Sequence, residues 1–143
     1  MSDRIAVITG SSRGIGAATA RLFASHGYVV CINYLSNAKA AQSVAREIEA
    51  SGAACFLIQA DVAQEDDVLR LFETVDEQPG KLSVLVNNAG ILLPQSRLSG
   101  INAERLNKLL TTNVTSCFLC SREAVRRMST KQGGQGGSIV NVS

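Results

Sequence analysis

Short apolar runs alternate along the chain with longer segments in which apolar residues recur every three or four positions. The runs predict buried strands, and the segments predict helices with one apolar face. The predicted strands cover residues 4–8, 28–33, 54–60, 82–86 and 138–143. The predicted helix faces consist of Ile15, Ala18, Leu22 and Phe23, then Ala41, Val44, Ala45 and Ile48, then Val68, Leu71, Phe72 and Val75, and last Leu106, Leu109, Leu110, Val114 and Phe118. The last face predicts one long helix from about residue 103 to 128, followed by a flexible turn at 133–137.

This alternation of strands and helices predicts an α/β fold. Continuously apolar strands are typical of a parallel, doubly wound sheet with helices on both faces, which makes three layers. Right-handed crossovers then place a ligand crevice at the carboxyl ends of strands one and four. Residues 1–143 form one domain in this interpretation, and we expect its sheet to be incomplete on the C-terminal side because the sequence stops within strand five.

A glycine-rich turn follows the first strand directly. It has the sequence Thr9-Gly10-Ser11-Ser12-Arg13-Gly14-Ile15-Gly16 and leads into the first helix. The unpaired N–H groups and the positive dipole end of a helix starting there suit a pyrophosphate. An ordinary strand-to-helix turn explains the same glycines, so the choice between the two interpretations depends on the residues at the other strand ends. Polar or glycine residues follow strands two, three and four as well, at 33–37, at Asp61 and at 87–90, and all of these lie on one rim of the predicted sheet.

The composition fits one globular domain and excludes several classes of partner. The 143 residues are 45% hydrophobic and 18% charged, and the net charge of +2 is too small to indicate binding to nucleic acid or to an anionic membrane. There is no apolar stretch long enough to span a bilayer and no room for a signal peptide before the first strand. We therefore expect a cytoplasmic protein.

The cysteines and the single histidine carry no chemistry in this interpretation. Cys31 and Cys55 fall in predicted strands, and Cys117 and Cys120 fall within the long helix, so packing explains all four better than a redox or zinc site. His26 precedes Gly27 at a helix end, where a capping position accounts for it. We expect no metal site.

Four motifs together resemble the short-chain dehydrogenase/reductase family, particularly bacterial members of the 3-oxoacyl reductase and glucose dehydrogenase kind. They are Thr9-Gly10-x-x-x-Gly14-Ile15-Gly16, Asp61-Val62, Asn87-Asn88-Ala89-Gly90 and Asn113, and the likeness extends over the whole chain. The resemblance implies a Rossmann-type sheet that binds NAD(H) or NADP(H). It also implies hydride transfer between an alcohol and a ketone or aldehyde, with a small-molecule substrate.

The resemblance also implies roles for individual residues. The residues that would bind the cofactor are Gly10, Ser12, Arg13, Gly14, Ile15 and Gly16 at the pyrophosphate and adjoining ribose, Asn33, Tyr34 and Ser36 after strand two, Asp61 and Val62 at the adenine, and Asn88, Ala89 and Gly90 near the adenosine ribose. Asn113 would hold a water of the proton relay that serves the catalytic lysine. Two alternatives stay open: Asp61 as a helix N-cap or turn carboxylate, and Asn113 as a buried amide bonded to nearby backbone. Asn87 is equally well explained as a link between strand four and its neighbours.

The choice of cofactor follows from the end of strand two. A preference for NAD usually rests on an acid there that binds the ribose 2′-hydroxyl, and residues 33–37 contain none. Arg13, within the glycine turn, could bind a 2′-phosphate with charge-assisted hydrogen bonds. We therefore expect NADP(H) to be favoured over NAD(H). If Arg13 is merely solvated, the site would have dual specificity.

The acid/base residues of the family are missing from the sequence. Its Tyr-x-x-x-Lys motif has no match, because Ile32 and Ala38 stand four residues after the two tyrosines, Tyr28 and Tyr34. The family serine would come just after Ser143. We therefore expect the sequence to be the N-terminal portion of a reductase and to be inactive as it stands. The alternative is a non-catalytic dinucleotide-binding module or pseudoenzyme, while a methyltransferase would need an acid after strand two. A homodimer or homotetramer through the 103–128 helix is implied by the resemblance.

Overall fold

The computed structural model describes residues 4–143 and contains one sheet of five parallel strands. The strands are β1 (Arg4–Ile8), β2 (Val29–Tyr34), β3 (Cys55–Gln59), β4 (Lys81–Asn87) and β5 (Ser138–Asn141). Their order across the sheet is β3-β2-β1-β4-β5, and every neighbouring pair is parallel. The strand order therefore reverses between β1 and β4, which opens a crevice at their carboxyl ends, as predicted.

Helices cover both faces of this sheet. They are α1 (Gly14–Ser25), α2 (Ala38–Ala50), α3 (Glu65–Asp76), α4 (Ala103–Leu110) and α5 (Ser116–Met128), and a π-helical turn (Thr111–Thr115) joins the last two. Short 3-10 helices cover Leu98–Gly100 and Thr130–Gln132. One core lies between the sheet and α1 and α2, and the other between the sheet and α3 and α5. The predicted three-layer, doubly wound α/β fold is confirmed. No helix within residues 4–143 is both long and apolar enough to cross a membrane.

The predicted apolar faces of α2 and α3 are confirmed. All four residues predicted for each helix are buried, from Ala41 to Ile48 in α2 and from Val68 to Val75 in α3. The strand limits differ from the prediction by one or two residues; β2, for example, starts at Val29 and runs to Tyr34.

The predicted apolar face of α1 is wrong. Ile15 and Leu22 are 65% and 59% exposed, whereas the residues that face the sheet are small: Gly16, Ala17, Ala20 and Ala24. Small side chains on this side let α1 pack close to the sheet. The larger apolar residues of α1 lie on its other side, away from the core.

The predicted apolar face of the long helix is also wrong. Its core side is formed mainly by Cys120, Ala124 and Met128 of α5. Leu106, Leu110, Val114 and Phe118 form instead an outward apolar stripe, in which Phe118 is 75% exposed. The helix is also not regular, because the π turn interrupts it at Thr111–Thr115.

The glycine-rich segment after α5 is a turn, as predicted, but a closely packed one. A Cβ at Gly134 would lie 2.5 Å from the carbonyl oxygens of Arg127 and Met128, and one at Gly137 would lie 2.6 Å from that of Ser83. The segment therefore joins the end of α5 to the start of β4 by close backbone contact.

Candidate functional site

The turn between β1 and α1 packs against the loop after β4, and two of its glycines are required by that contact. Gly10 has a φ of +61°, and a Cβ there would lie 3.0 Å from Ala89 Cα. A Cβ at Gly16 would lie 2.5 Å from Asn88 Nδ2 and would also overlap the carbonyl oxygen of Gly10. A side chain at either position would push the two loops apart.

Hydrogen bonds fix the first part of this turn to β2. The Gly10 N–H donates to Asn33 Oδ1 at 3.1 Å, and the Ser11 N–H donates to the Asn33 carbonyl at 2.8 Å. The Ser11 hydroxyl donates to the Ile8 carbonyl at 2.7 Å and accepts the Asn33 N–H at 3.0 Å. The amides of Gly10 and Ser11 are therefore already used within the protein.

The next amides are free within the described part of the chain. The backbone hydrogen bonds of α1 begin with Ala17 N–H to the Arg13 carbonyl at 3.1 Å, and no side chain caps the helix. Between Ser12 and Gly16, no amide has a partner among residues 4–143. Unpaired amides at the positive end of a helix dipole form a site for an anion.

Arg13 stands at the N-cap of this helix with its side chain exposed. Its guanidinium makes no hydrogen bond or ion pair with residues 4–143. The group can therefore add its charge to a ligand bound at the turn without first breaking an ion pair.

The loop after β4 is tied to the same turn by Thr9 and Asn88. The Thr9 hydroxyl accepts hydrogen bonds from the Asn88 and Ala89 amides at 3.0 and 2.9 Å. Asn88 Nδ2 donates to the Thr9 and Gly10 carbonyls at 3.1 and 3.0 Å. The Asn88 side chain is thus directed at the turn, where its amide donors position the backbone.

Asn87 links β4 to its neighbours on the other side. Its Nδ2 donates to Ser121 Oγ at 3.1 Å and to Asn141 Oδ1 at 2.9 Å, which joins β4 to α5 and β5. This is the linking role that the sequence suggested for Asn87.

Asn113 lies in the π turn and forms a pair of hydrogen bonds with the backbone of Ile91. Its Oδ1 accepts the Ile91 N–H at 2.7 Å, and its Nδ2 donates to the Ile91 carbonyl at 2.9 Å. A Cβ at Gly90 would lie 3.3 Å from Asn113 Oδ1, so a glycine suits this contact. The side-chain amide of Asn113 therefore bonds to nearby backbone, which is the alternative to a role in a proton relay.

Two predicted cofactor-binding residues have buried side chains. Asn33 is 2% exposed, and both its amide oxygen and its amide nitrogen bond to the protein, so its side chain has no free donor within the described residues. Val62 is 5% exposed and belongs to the same core cluster as the buried residues of α3. Tyr34 is half-buried and Ser36 exposed at the end of β2.

Asp61 forms a turn at the start of the segment after β3. Its Oδ1 accepts the Ala63 N–H at 3.0 Å, and its own N–H donates to Asp67 Oδ2 at 2.7 Å. The turn-carboxylate interpretation therefore holds. Within the described residues the second carboxylate oxygen has no hydrogen-bond partner and can still accept one from a ligand.

Sequence reasoning missed the roles of Thr9 and Ser11. Both are buried polar residues that hold the turn to β1, β2 and β4 through their hydroxyls. The available signal was their position, because a hydroxyl at the buried end of an apolar strand needs a partner. Of the two tyrosines, Tyr28 lies away from the rim, stacked edge-on against Phe23 at 5.1 Å.

The four cysteines are free, and three of them have raised pKa values. Burial raises the pKa of the Cys31 thiol, and it is the main reason why the pKa values of Cys55 and Cys120 rise to about 11 and about 12. Three or more metal-ligating side chains do not come together anywhere in residues 4–143. His26 caps the end of α1, where its Nδ1 lies 2.9 Å from the Leu22 carbonyl oxygen.

Comparisons with known proteins agree with this geometry. A family model described as short chain dehydrogenase matches residues 4–143. The uncharacterized oxidoreductase YgfF of Escherichia coli strain K12 is 52% identical over 139 residues, which are 97% of this chain and 56% of that protein. A 3-oxoacyl-[acyl-carrier-protein] reductase of a Synechocystis species is 37% identical over 143 residues, which are 100% of this chain and 56% of that protein.

A solved structure shows the same fold. It is a short-chain dehydrogenase from Burkholderia cenocepacia in complex with NADP, with a TM-score of 0.88 and 38% identity, over 98% of this chain and 55% of that one. The chain thus spans about half the length of the relatives that it matches.

Proposed function

Since this chain belongs to the short-chain dehydrogenase family, we propose that the rim formed by its strand ends binds NADP(H) in preference to NAD(H). We propose further that the protein of which this chain is the cofactor-binding part transfers hydride between an alcohol and a ketone or aldehyde.

The free amides between Ser12 and Gly16 carry the proposal. They lie at the start of α1, directly after the carboxyl end of β1, where the helix dipole favours a negative charge. A Cβ at Gly14 would meet nothing within 4 Å, so the space beside the turn is open. A pyrophosphate fits both features because its oxygens accept several N–H bonds at once.

Arg13 supports the choice of NADP(H). Its exposed guanidinium next to the amides can pair with a 2′-phosphate, whereas no acid stands at the end of β2 to bind a 2′-hydroxyl. The relative from Burkholderia cenocepacia was solved with NADP, which is consistent with the same choice.

The remaining residues of the rim would bind and orient the cofactor. The free oxygen of Asp61 is available to an amino group such as that of adenine. Asn113 holds the Ile91 backbone, which keeps the loop after β4 in place beside the crevice. When bound, the nicotinamide ring supplies or accepts the hydride.

The proton that accompanies the hydride needs an acid/base group. We assign it to the Tyr-x-x-x-Lys pair of the longer protein, because Tyr28 and Tyr34 do not form that motif. The 143 residues alone are then expected to bind cofactor without turnover. A non-catalytic binding module would differ by lacking the pair throughout the whole protein.

The outward apolar stripe supports self-association. Four apolar side chains at helical spacing on α4, the π turn and α5 are exposed, which is typical of an interface. We assign this stripe to contact with a second copy of the chain, in a homodimer or homotetramer.

The test is a titration with NADPH and with NADH, followed by fluorescence of the reduced nicotinamide. NADPH is expected to bind more tightly. Arg13→Ala should weaken NADPH binding about tenfold, the loss of roughly one charge-assisted hydrogen bond, and leave NADH binding nearly unchanged. Arg46→Ala removes an exposed charge from α2 and serves as the matched control. Tighter binding of NADH, or equal effects of the two variants on NADPH binding, would contradict the cofactor choice.

A further inference from the structure

We infer that Asn33 is a positioning residue, which presets the glycine turn for the phosphates and does not itself read the ribose of the cofactor. This inference rests on the proposed function and concerns how the same site is held in shape. Asn33 stands one residue before the end of β2, the strand whose end usually contributes the residue that binds the ribose.

The Asn33 side chain bonds to three separate segments. Its Oδ1 accepts the Gly10 N–H at 3.1 Å, and its Nδ2 donates to the carbonyls of Ile58 and Ala60, both at 3.2 Å. Both protons of the amide nitrogen are thus used, and the side chain is 2% exposed. Asn33 therefore has no donor left for a ligand at the rim.

An asparagine is the side chain that this position needs. Its amide oxygen accepts a hydrogen bond from the Gly10 N–H, and its amide nitrogen donates two hydrogen bonds to carbonyl oxygens. An aspartate would keep the acceptor for Gly10 but would turn its second oxygen toward the carbonyls of Ile58 and Ala60. A leucine would leave all three backbone groups without this partner in a buried place, which is unfavourable for each of them.

The bonds connect both sides of the proposed cofactor site. Ala60 directly precedes Asp61, the residue assigned to the adenine, and Gly10 begins the turn assigned to the pyrophosphate. Gly10 is held from the other side as well, because Asn88 Nδ2 donates to its carbonyl at 3.0 Å. One asparagine thus fixes the Gly10 N–H and another its C=O, and the positive φ of Gly10 is maintained by both.

The consequence is that Asn33 acts on both nicotinamide cofactors equally. Its side chain bonds only to backbone groups of the glycine turn and of the end of β3 and the segment after it, so disturbing these bonds displaces the free amides that both cofactors would use. A residue that read the ribose would instead change the ratio of the two affinities.

The experiment compares Asn33→Asp with Ile48→Val and Ile48→Ala, two core variants of α2 that lower stability without touching the turn. Affinities for NADPH and NADH are measured below the unfolding temperature of each variant. Asn33→Asp should weaken the binding of NADPH and of NADH by a similar factor of about ten relative to the Ile48 variant with the nearest unfolding temperature. A tenfold loss corresponds to about 1.4 kcal/mol of preorganisation.

A second measurement does not depend on the cofactor. Hydrogen exchange of the Gly10 amide should be faster in Asn33→Leu than in the Ile48 variants of equal stability, because only the former removes its acceptor. Asn33→Asp retains that acceptor but loses the two donor bonds that hold the side chain in place, so its Gly10 exchange should lie between that of Asn33→Leu and that of the Ile48 variants.

Two results would overturn the inference. If Asn33→Asp binds both cofactors as the stability-matched Ile48 variant does, Asn33 only supports the fold. If it gains NADH affinity while losing NADPH affinity, Asn33 reads the ribose. Failure of the unsubstituted chain to bind either cofactor would contradict the proposed function instead, and the Gly10 exchange rates would still test whether Asn33 holds the turn.

Discussion

Gly14 and Gly16 stand in the same turn but are required for different reasons. Gly14 has a φ of +57° with open space where a Cβ would be, so its requirement is conformational. At Gly16 a Cβ would lie 2.5 Å from Asn88 Nδ2 and 2.9 Å from Ser11 Cα, so its requirement is contact between two loops. At the scale of single residues, the site therefore depends on how closely backbone approaches backbone.

This difference predicts unequal effects of alanine at the two positions. Gly14→Ala should cost about 1 kcal/mol of backbone strain and leave the fold intact. Gly16→Ala should cost more and should abolish cofactor binding, because Asn88 must leave the turn that it holds. Thermal unfolding and NADPH titration of both variants check this, and equal losses in the two variants would contradict the contact argument.

The polar residues show what sequence reasoning could and could not provide. The position of Asn113 could be singled out because an amide beside an apolar face needs a partner, and that of Asn33 because it begins the polar residues that follow predicted strand two. Their partners could not, since Ile58, Ala60 and Ile91 come from segments far along the chain. Residue spacing reports local structure, whereas these bonds form only once the sheet has assembled.

At the scale of elements, α3 and α5 are joined by a group of ion pairs centred on Glu123. The Glu123 side chain is 3% exposed and lies within 2.8 Å of Arg122 and Arg126 and 3.2 Å of Arg127. Arg127 also pairs with Asp76 of α3 at 2.8 Å. Burial acts to raise the pKa of Glu123, but the hydrogen bonds from Arg122 and Arg127 outweigh it, and the pKa lies below its ordinary value.

Because folding lowers the pKa of Glu123, its charge stabilises the fold above its ordinary pKa of 4.5. The contribution is lost as the pH falls through the lower pKa of the folded state. Glu123→Gln should reduce the free energy of unfolding by about 2 kcal/mol at neutral pH, the loss of charge-assisted bonds to a buried group. Its difference from the unsubstituted chain should shrink at acid pH.

Urea unfolding at several pH values measures this difference. Glu47→Gln, at an exposed pair with Arg21, is the control and should have the smaller effect. A difference for Glu123→Gln that grows on acidification would contradict the assignment.

The helices also differ in how well they could be predicted. The faces of α2 and α3 were predictable because their larger apolar residues point into the core. In α1 the core side consists of glycine and alanine, and in α4 and α5 the larger side chains point outward. Periodicity identifies an apolar face but not what it packs against, and it does not reveal the π turn at Thr111–Thr115.

For the whole molecule, the outward apolar stripe is a surface of large apolar side chains that the fold leaves exposed. Leu106, Leu110, Val114 and Phe118 lie along it, from α4 through the π turn into α5. If a second copy covers it, Phe118→Asp should shift the chain from a dimer or larger species to a monomer, because it buries a charge in an apolar contact.

Sedimentation equilibrium gives the molar mass of each form. Leu22→Asp alters an exposed apolar residue of α1, outside the stripe, and should not change the mass. A monomeric unsubstituted chain at all concentrations, or dissociation by Leu22→Asp, would contradict this assignment of the interface.

An amide-resolved NMR titration of the chain with NADPH tests directly whether the turn between β1 and α1 is the cofactor site. We expect saturable shifts that are largest at the free amides of Ser12–Gly16, and smaller ones at Gly10 and Ser11, whose N–H groups are already bonded to Asn33. Absence of saturable binding, or shifts centred away from the turn between β1 and α1, would contradict this assignment of the cofactor site.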